Sequence, residues 1–245
     1  MAHAISPRLH QAPSPPQTTP LVAARTGSTT TRLLACGIVA GPVFVGVGLL
    51  QALTIPGFDL TRHALSLLET GPFGAIQIAN FLLSGTLLIA YAAGLRRSLR
   101  AGPGGSWAPL LIGVCGLGFI GGAFFHPDPG LGFPPGTPAD IPATMSTHAV
   151  LHMVFGSTAF LALIAACFVL ARAFAVARQR SWAAGLAGAG ATFALGLGET
   201  LAGGPAGSLV LFLSASVALI AVALTAAQLR SEAATVAGRS RQPIA

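Results

Sequence analysis

His148 and His152 stand four residues apart in a chain that has only six histidines. On a helix that spacing puts both imidazoles on one face. With a third donor from His63, His126 or Asp128, the pair could hold a zinc ion. Zinc takes His nitrogen and carboxylate oxygen in tetrahedral sites, and it activates water when one position stays open. Ser66 and Asp128 would then orient a substrate or move its proton. The chemistry implied is metal-assisted hydrolysis, with a lipid or lipid-linked compound as the substrate. The plainer reading is that a lone His-x3-His pair near a helix start only makes hydrogen bonds there. Bis-His haem fits poorly, because His148 and His152 lie on one helix rather than on two facing ones.

These residues come from one unusual stretch, Phe125 to His152, with sequence FHPDPGLGFPPGTPADIPATMSTHAVLH. Its prolines, in His126-Pro127, Asp128-Pro129, Pro134-Pro135 and Thr137-Pro138, exclude a continuous helix. Asp128-Pro129 also reads as a simple turn initiator. The apolar, Pro-stiffened part has two readings: a lid over helix ends, or a docking site for another protein.

Long apolar runs must position this stretch. The chain is 53% hydrophobic and 8% charged, with a mean hydropathy of +0.76. A soluble domain carries roughly 25% charge. Six apolar runs, at about 33–55, 74–95, 107–125, 148–171, 182–202 and 206–228, each approach the roughly 20 residues that cross a bilayer as a helix. They lack the alternation of a membrane β-barrel. The fold expected is therefore all-α, a polytopic membrane bundle of six transmembrane helices. A disordered tail (1–31) precedes it and a second tail (231–245) follows it.

The charges divide by side. All the basic residues are Arg, and the net charge is +7. Arg8, Arg25, Arg32, Arg96, Arg97, Arg100, Arg172, Arg178, Arg180, Arg230, Arg239 and Arg241 fall on one side of the six runs, and only Arg62 on the other. That bias predicts cytoplasmic termini. The composition, rich in Ala, Gly and Arg without Lys, points to a bacterial plasma membrane protein. The opposite face collects His63, His126, His148 and His152 with Asp59, Glu69, Asp128, Asp140 and Glu199. A polar pocket is expected there, formed by Asp59, Arg62, His63, Ser66, His126, Asp128, His148 and His152, with Glu199 pairing to Arg62 or a histidine.

Other functions are excluded or weak. No run carries a charge at mid-depth, which argues against transport by this chain alone. There is no phosphate-binding loop and no nucleophile elbow. The high pI reflects topogenic arginines rather than nucleic-acid binding. Cys36, Cys115 and Cys167 lie inside apolar runs and read as small buried hydrophobes. The partners expected are the lipid bilayer and either a lipid substrate or a membrane protein. A non-catalytic scaffold or lipid-sensing subunit is the alternative to an enzyme.

Four segments carry a family resemblance: GPVFVGVGLLQAL, PGFDLTRHALSLLETGPFGAIQIANFLLSGTLLIAYAAGLRRSL, GAFFHPDPGLGFPPGTP and THAVLHMVFG. The pattern resembles the DUF998 family of bacterial six-helix membrane proteins, over about residues 33 to 230. The resemblance implies the topology, marks Ser66, Asp128 and His152, and implies no reaction. The Ser, Asp and His-x3-His set is also loosely similar to that of the alkaline ceramidase and adiponectin-receptor hydrolases, which have seven helices in a different order.

Overall fold

A computed structural model of the chain describes residues 19–22, 27–99, 103–140 and 142–239. All six apolar runs become helices: α1 (Ser28–Thr54), α2 (Gly74–Ser98), α3 (Pro103–Phe124), α4 (Thr147–Val176), α5 (Arg180–Leu201) and α6 (Gly207–Arg239). A 3-10 helix, Leu65–Thr70, lies between α1 and α2. No strand occurs among the described residues.

Five helices, α1 to α4 and α6, are long and apolar enough to cross a membrane. The expected sixth span, α5, falls short of that measure by composition. Gly and Ala fill much of α5, where the other helices carry Leu, Ile, Val and Phe. Small residues lower hydropathy but let helix backbones approach closely.

Most of the expected N-terminal tail (1–31) and the end of the C-terminal one (231–245) lie outside the described residues. Helix α1 begins at Ser28, and α6 runs on to Arg239. Residues 19–22 also pack: Val22 is fully buried and bridges Leu99. His3, His10, Arg8, Arg25, Arg100 and Arg241 lie outside the described residues.

Each helix packs on its neighbours in sequence, and α1 closes on α6, so the six form a ring. Short connections make α2–α3, α4–α5 and α5–α6 antiparallel, while the long segments 55–73 and 125–146 join the other neighbours, and helix ends gather in two groups. At one end Thr19 N donates to Ala177 O (3.2 Å) and Leu21 N to Glu232 Oε2 (2.9 Å). Arg96, Arg97, Arg172, Arg178, Arg180 and Arg230 belong to this end. At the other, Ser208 Oγ donates to Arg62 O (3.1 Å) and the His63 ring meets Leu131 O (3.0 Å). The interior is apolar, built on Tyr91, Phe119, Leu163, Phe174 and Phe193. One polar seam crosses it between α1 and α2. Gln51 Nε2 donates to Gln77 Oε1 (2.9 Å), and Asn80 Nδ2 to Phe44 O (3.0 Å).

Candidate functional site

The candidate site is the end that carries the histidines. Two loops build it, and each is held by a histidine. His63 is 3% exposed. Its Nδ1 accepts the Asp59 N–H (2.9 Å), so the ring proton sits on Nε2 and is donated to Leu131 O (3.0 Å). Both nitrogens of His63 are therefore committed to backbone groups. That links the first loop to the Pro-rich loop, 68 residues on.

An aromatic plug completes the link. Phe133 is fully buried against Ala52, Ile55, Leu67 and Leu68. Its ring centroid lies 5.2 Å from that of Phe58 and 5.5 Å from that of His63. Two tight turns present it: Leu131 and Gly132 have φ of 59° and 84°, with Gly132 N bonded to Pro138 O (2.9 Å). The Pro-rich loop thus lies down as a lid and inserts a side chain, which is the first of its two expected readings.

His152 secures the other side. It is 7% exposed, and its Nδ1 lies 2.6 Å from Phe125 O and 3.2 Å from Gly122 O. Both partners are acceptors, so Nδ1 carries the proton. The contact satisfies carbonyls left over where α3 ends. Asp128 does similar work at the start of α4. Its Oδ2 accepts Ser146 N–H (2.7 Å), while Ser146 Oγ caps Ala149 N (3.1 Å). Hydrogen bonds from Ser146, side chain first and then backbone, hold the Asp128 carboxyl below its ordinary range. Asp59 is likewise held low by Thr61, side chain first and then backbone, in a local turn with Oδ1 2.7 Å from Thr61 Oγ1.

The remaining residues do not converge. His148 is exposed, with its ring edge on Phe125 (5.6 Å between centroids). His126 and Ser66 are half-buried, and Arg62 is exposed. Glu199 Oε2 is enclosed without a hydrogen-bond partner among the described residues, so the expected pairing with Arg62 or a histidine does not engage that oxygen. Among the described residues no three His, Cys, Asp or Glu side chains gather to hold a metal ion. Of the expected donors, His63 has both ring nitrogens bonded, His148 is exposed and His152 is buried. Cys36, Cys115 and Cys167 are free thiols, and the last two are buried.

One residue at this end was not singled out by its sequence. Glu69 is 7% exposed, and neither carboxylate oxygen has a hydrogen-bond partner among the described residues. Burial alone pushes its carboxyl up to about 8. In sequence it looks like any loop acid, since nothing local shows that Leu65–Thr70 folds inward. The seam residues Gln77, Asn80 and Ser84 share one face of α2.

No curated protein and no solved structure matches this chain. A family model does match, over residues 38–228, and it is described as a protein of unknown function. That span covers α2 to α5 entirely and most of α1 and α6, together with both loops of the histidine-bearing end, and on it the chain belongs to the DUF998 family.

Proposed function

We propose that this protein is a non-catalytic membrane scaffold with a lipid-sensing role, spanning the bacterial plasma membrane six times with both termini in the cytoplasm. One observation carries the reading. Candidate residues take part in the architecture: His63 ties the first loop to the Pro-rich loop through both ring nitrogens, His152 Nδ1 donates to the end of α3, and Asp128 Oδ2 accepts from the start of α4. The polar pocket of Asp59, His63, Ser66, His126, Asp128, His148 and His152 is on this reading a latch for a rigid extracytoplasmic cap. The grouping of arginines at the opposite end supports the orientation.

The test is elemental analysis of detergent-purified protein beside a His148→Ala/His152→Ala variant. The expected result is no stoichiometric zinc in either. One zinc per chain, lost in the variant, would overturn the reading and restore metal-assisted hydrolysis of a lipid substrate. A latch also predicts a stability effect. His63→Ala removes two part-buried hydrogen bonds and two ring contacts, so it should cost about 2 kcal/mol and expose the Pro-rich loop to added protease. Unchanged denaturation and unchanged loop cleavage would contradict the latch.

The sixth span is tested by labelling. Ala202 is exposed just past the end of α5. Ala202→Cys in intact cells should react with a membrane-impermeant maleimide added outside. Reaction only after the membrane is opened would show that α5 does not cross.

A further inference from the structure

At the Arg-bearing end a cleft of about 560 Å³ opens between the α4–α5 turn and α6. Arg178, Arg180 and Trp182 line it, with Gln179, Gln228 and Glu232. A groove of about 850 Å³ between α5 and α6 shares Ser181 and Trp182 with this cleft. The groove is apolar: Leu213, Val217, Ile220 and Leu224 form one wall, and Gly185 and Ala189 open the other.

We infer that the cleft and groove together bind one anionic phospholipid of the leaflet on the Arg-bearing side, with its phosphate at Arg178 and Arg180 and an acyl chain along α5 and α6. This inference deepens the proposed lipid-sensing role and rests on α5 spanning the membrane.

The dimensions fit. From Leu213 to Leu224 a helix rises about 16 Å, and one leaflet contributes about half of a hydrocarbon core of roughly 30 Å. Trp182 sits where groove meets cleft, the depth at which tryptophans mark a membrane interface.

The charges fit as well. Glu232, the one acid in the cleft, already accepts three hydrogen bonds: Gln179 Nε2 (2.7 Å), Gln228 Nε2 (3.3 Å) and Leu21 N (2.9 Å). The two arginines are exposed. Each also occupies a position that local structure disfavours. Arg178 follows the end of α4 at φ 61°, with Gln179 N bonded back to Phe174 O (2.9 Å). That left-handed position ordinarily takes glycine. Arg180 opens α5, where a cation opposes the helix dipole. No side chain caps that helix start, so its amides favour the same phosphate as the arginines. The positive-inside bias places arginines at this end, and an anionic headgroup would be held by the two that line the cleft.

The experiment uses the full chain with Trp107→Phe, so that Trp182 is the only tryptophan, in vesicles of mixed phosphatidylglycerol and phosphatidylcholine. The brominated chain is placed on one lipid or the other at equal mole fraction and equal total charge. Trp182 should be quenched with about tenfold preference for brominated phosphatidylglycerol. Arg178→Gly with Arg180→Gln should bring that preference to within about twofold without loss of helicity or thermal stability. A built cation site makes this prediction and a merely structural arginine does not. Gly185 has open space beside it, so Gly185→Phe should block the groove and weaken quenching by both lipids. Equal quenching by the two lipids, or a preference that survives the arginine substitutions, overturns the site. If Ala202→Cys proves inaccessible from outside, the span and the site fail together. If it is labelled and quenching is indifferent, the site alone fails.

Discussion

Glu69→Gln should make this protein more stable at pH 9 than the native sequence, and no more stable at pH 5. The Glu69 side chain is buried and unpartnered, and desolvation raises its carboxyl from 4.5 to about 8. Between those two values the folded protein holds a proton that the unfolded chain has released. Stability therefore falls as pH rises through that window and levels off above it. The full penalty is roughly 4 kcal/mol at pH 9, about 10 °C in Tm for a chain of this size. Glutamine has the same shape and does not ionise, so the difference in stability between the two proteins should open between pH 5 and 9, while the histidines, common to both, cancel in the comparison. Asp59 and Asp128 do not confound the window: their carboxyls are held below 3.8, and what they contribute is lost only in stronger acid. Thermal unfolding in detergent at several pH values reads the result. A flat native profile, or an unchanged slope in Glu69→Gln, would show that Glu69 finds a partner in the membrane.

The second large effect lies where α2 crosses α3. A Cβ on Gly85 would stand 2.6 Å from Gly116 O, and one on Gly116 would stand 2.7 Å from Gly85 O. The two backbones touch, and neither carbonyl can move without shifting its helix. Gly85→Ala or Gly116→Ala should cost about 2–4 kcal/mol, and leucine at either place should abolish folded protein. Gly113, on the same helix, is the control. Its Cβ would meet only the Ala92 Cβ at 3.7 Å, an ordinary contact, so Gly113→Ala should be neutral or slightly stabilising. Monodisperse protein recovered after graded heating separates the three. Equal behaviour of Gly113→Ala and Gly116→Ala would mean that α2 and α3 cross elsewhere.

How much of this was legible before folding depends on the range over which each property acts. Hydrophobic burial and helix formation act over runs of about 20 residues, so the six helices could be read directly, along with the grouping of arginines at one end. The limit appeared at α5, where Gly and Ala make span and packing surface compete within one segment. Helices α1 and α6 extend into segments that composition assigned to tails, and Leu21 N bonds to Glu232 near the end of α6.

By itself the sequence determined the all-helical class, the apolar runs, the two chemically different ends, and which polar residues gather at each. Only the tertiary structure decided what those residues do. Whether a histidine nitrogen is free for a metal or bound to a carbonyl 68 residues away depends on loop placement. The same holds for Glu69, whose burial follows from an inward turn of Leu65–Thr70. Hydrogen bonding and desolvation are set within a few ångströms, by groups that neighbour each other only after the chain has folded.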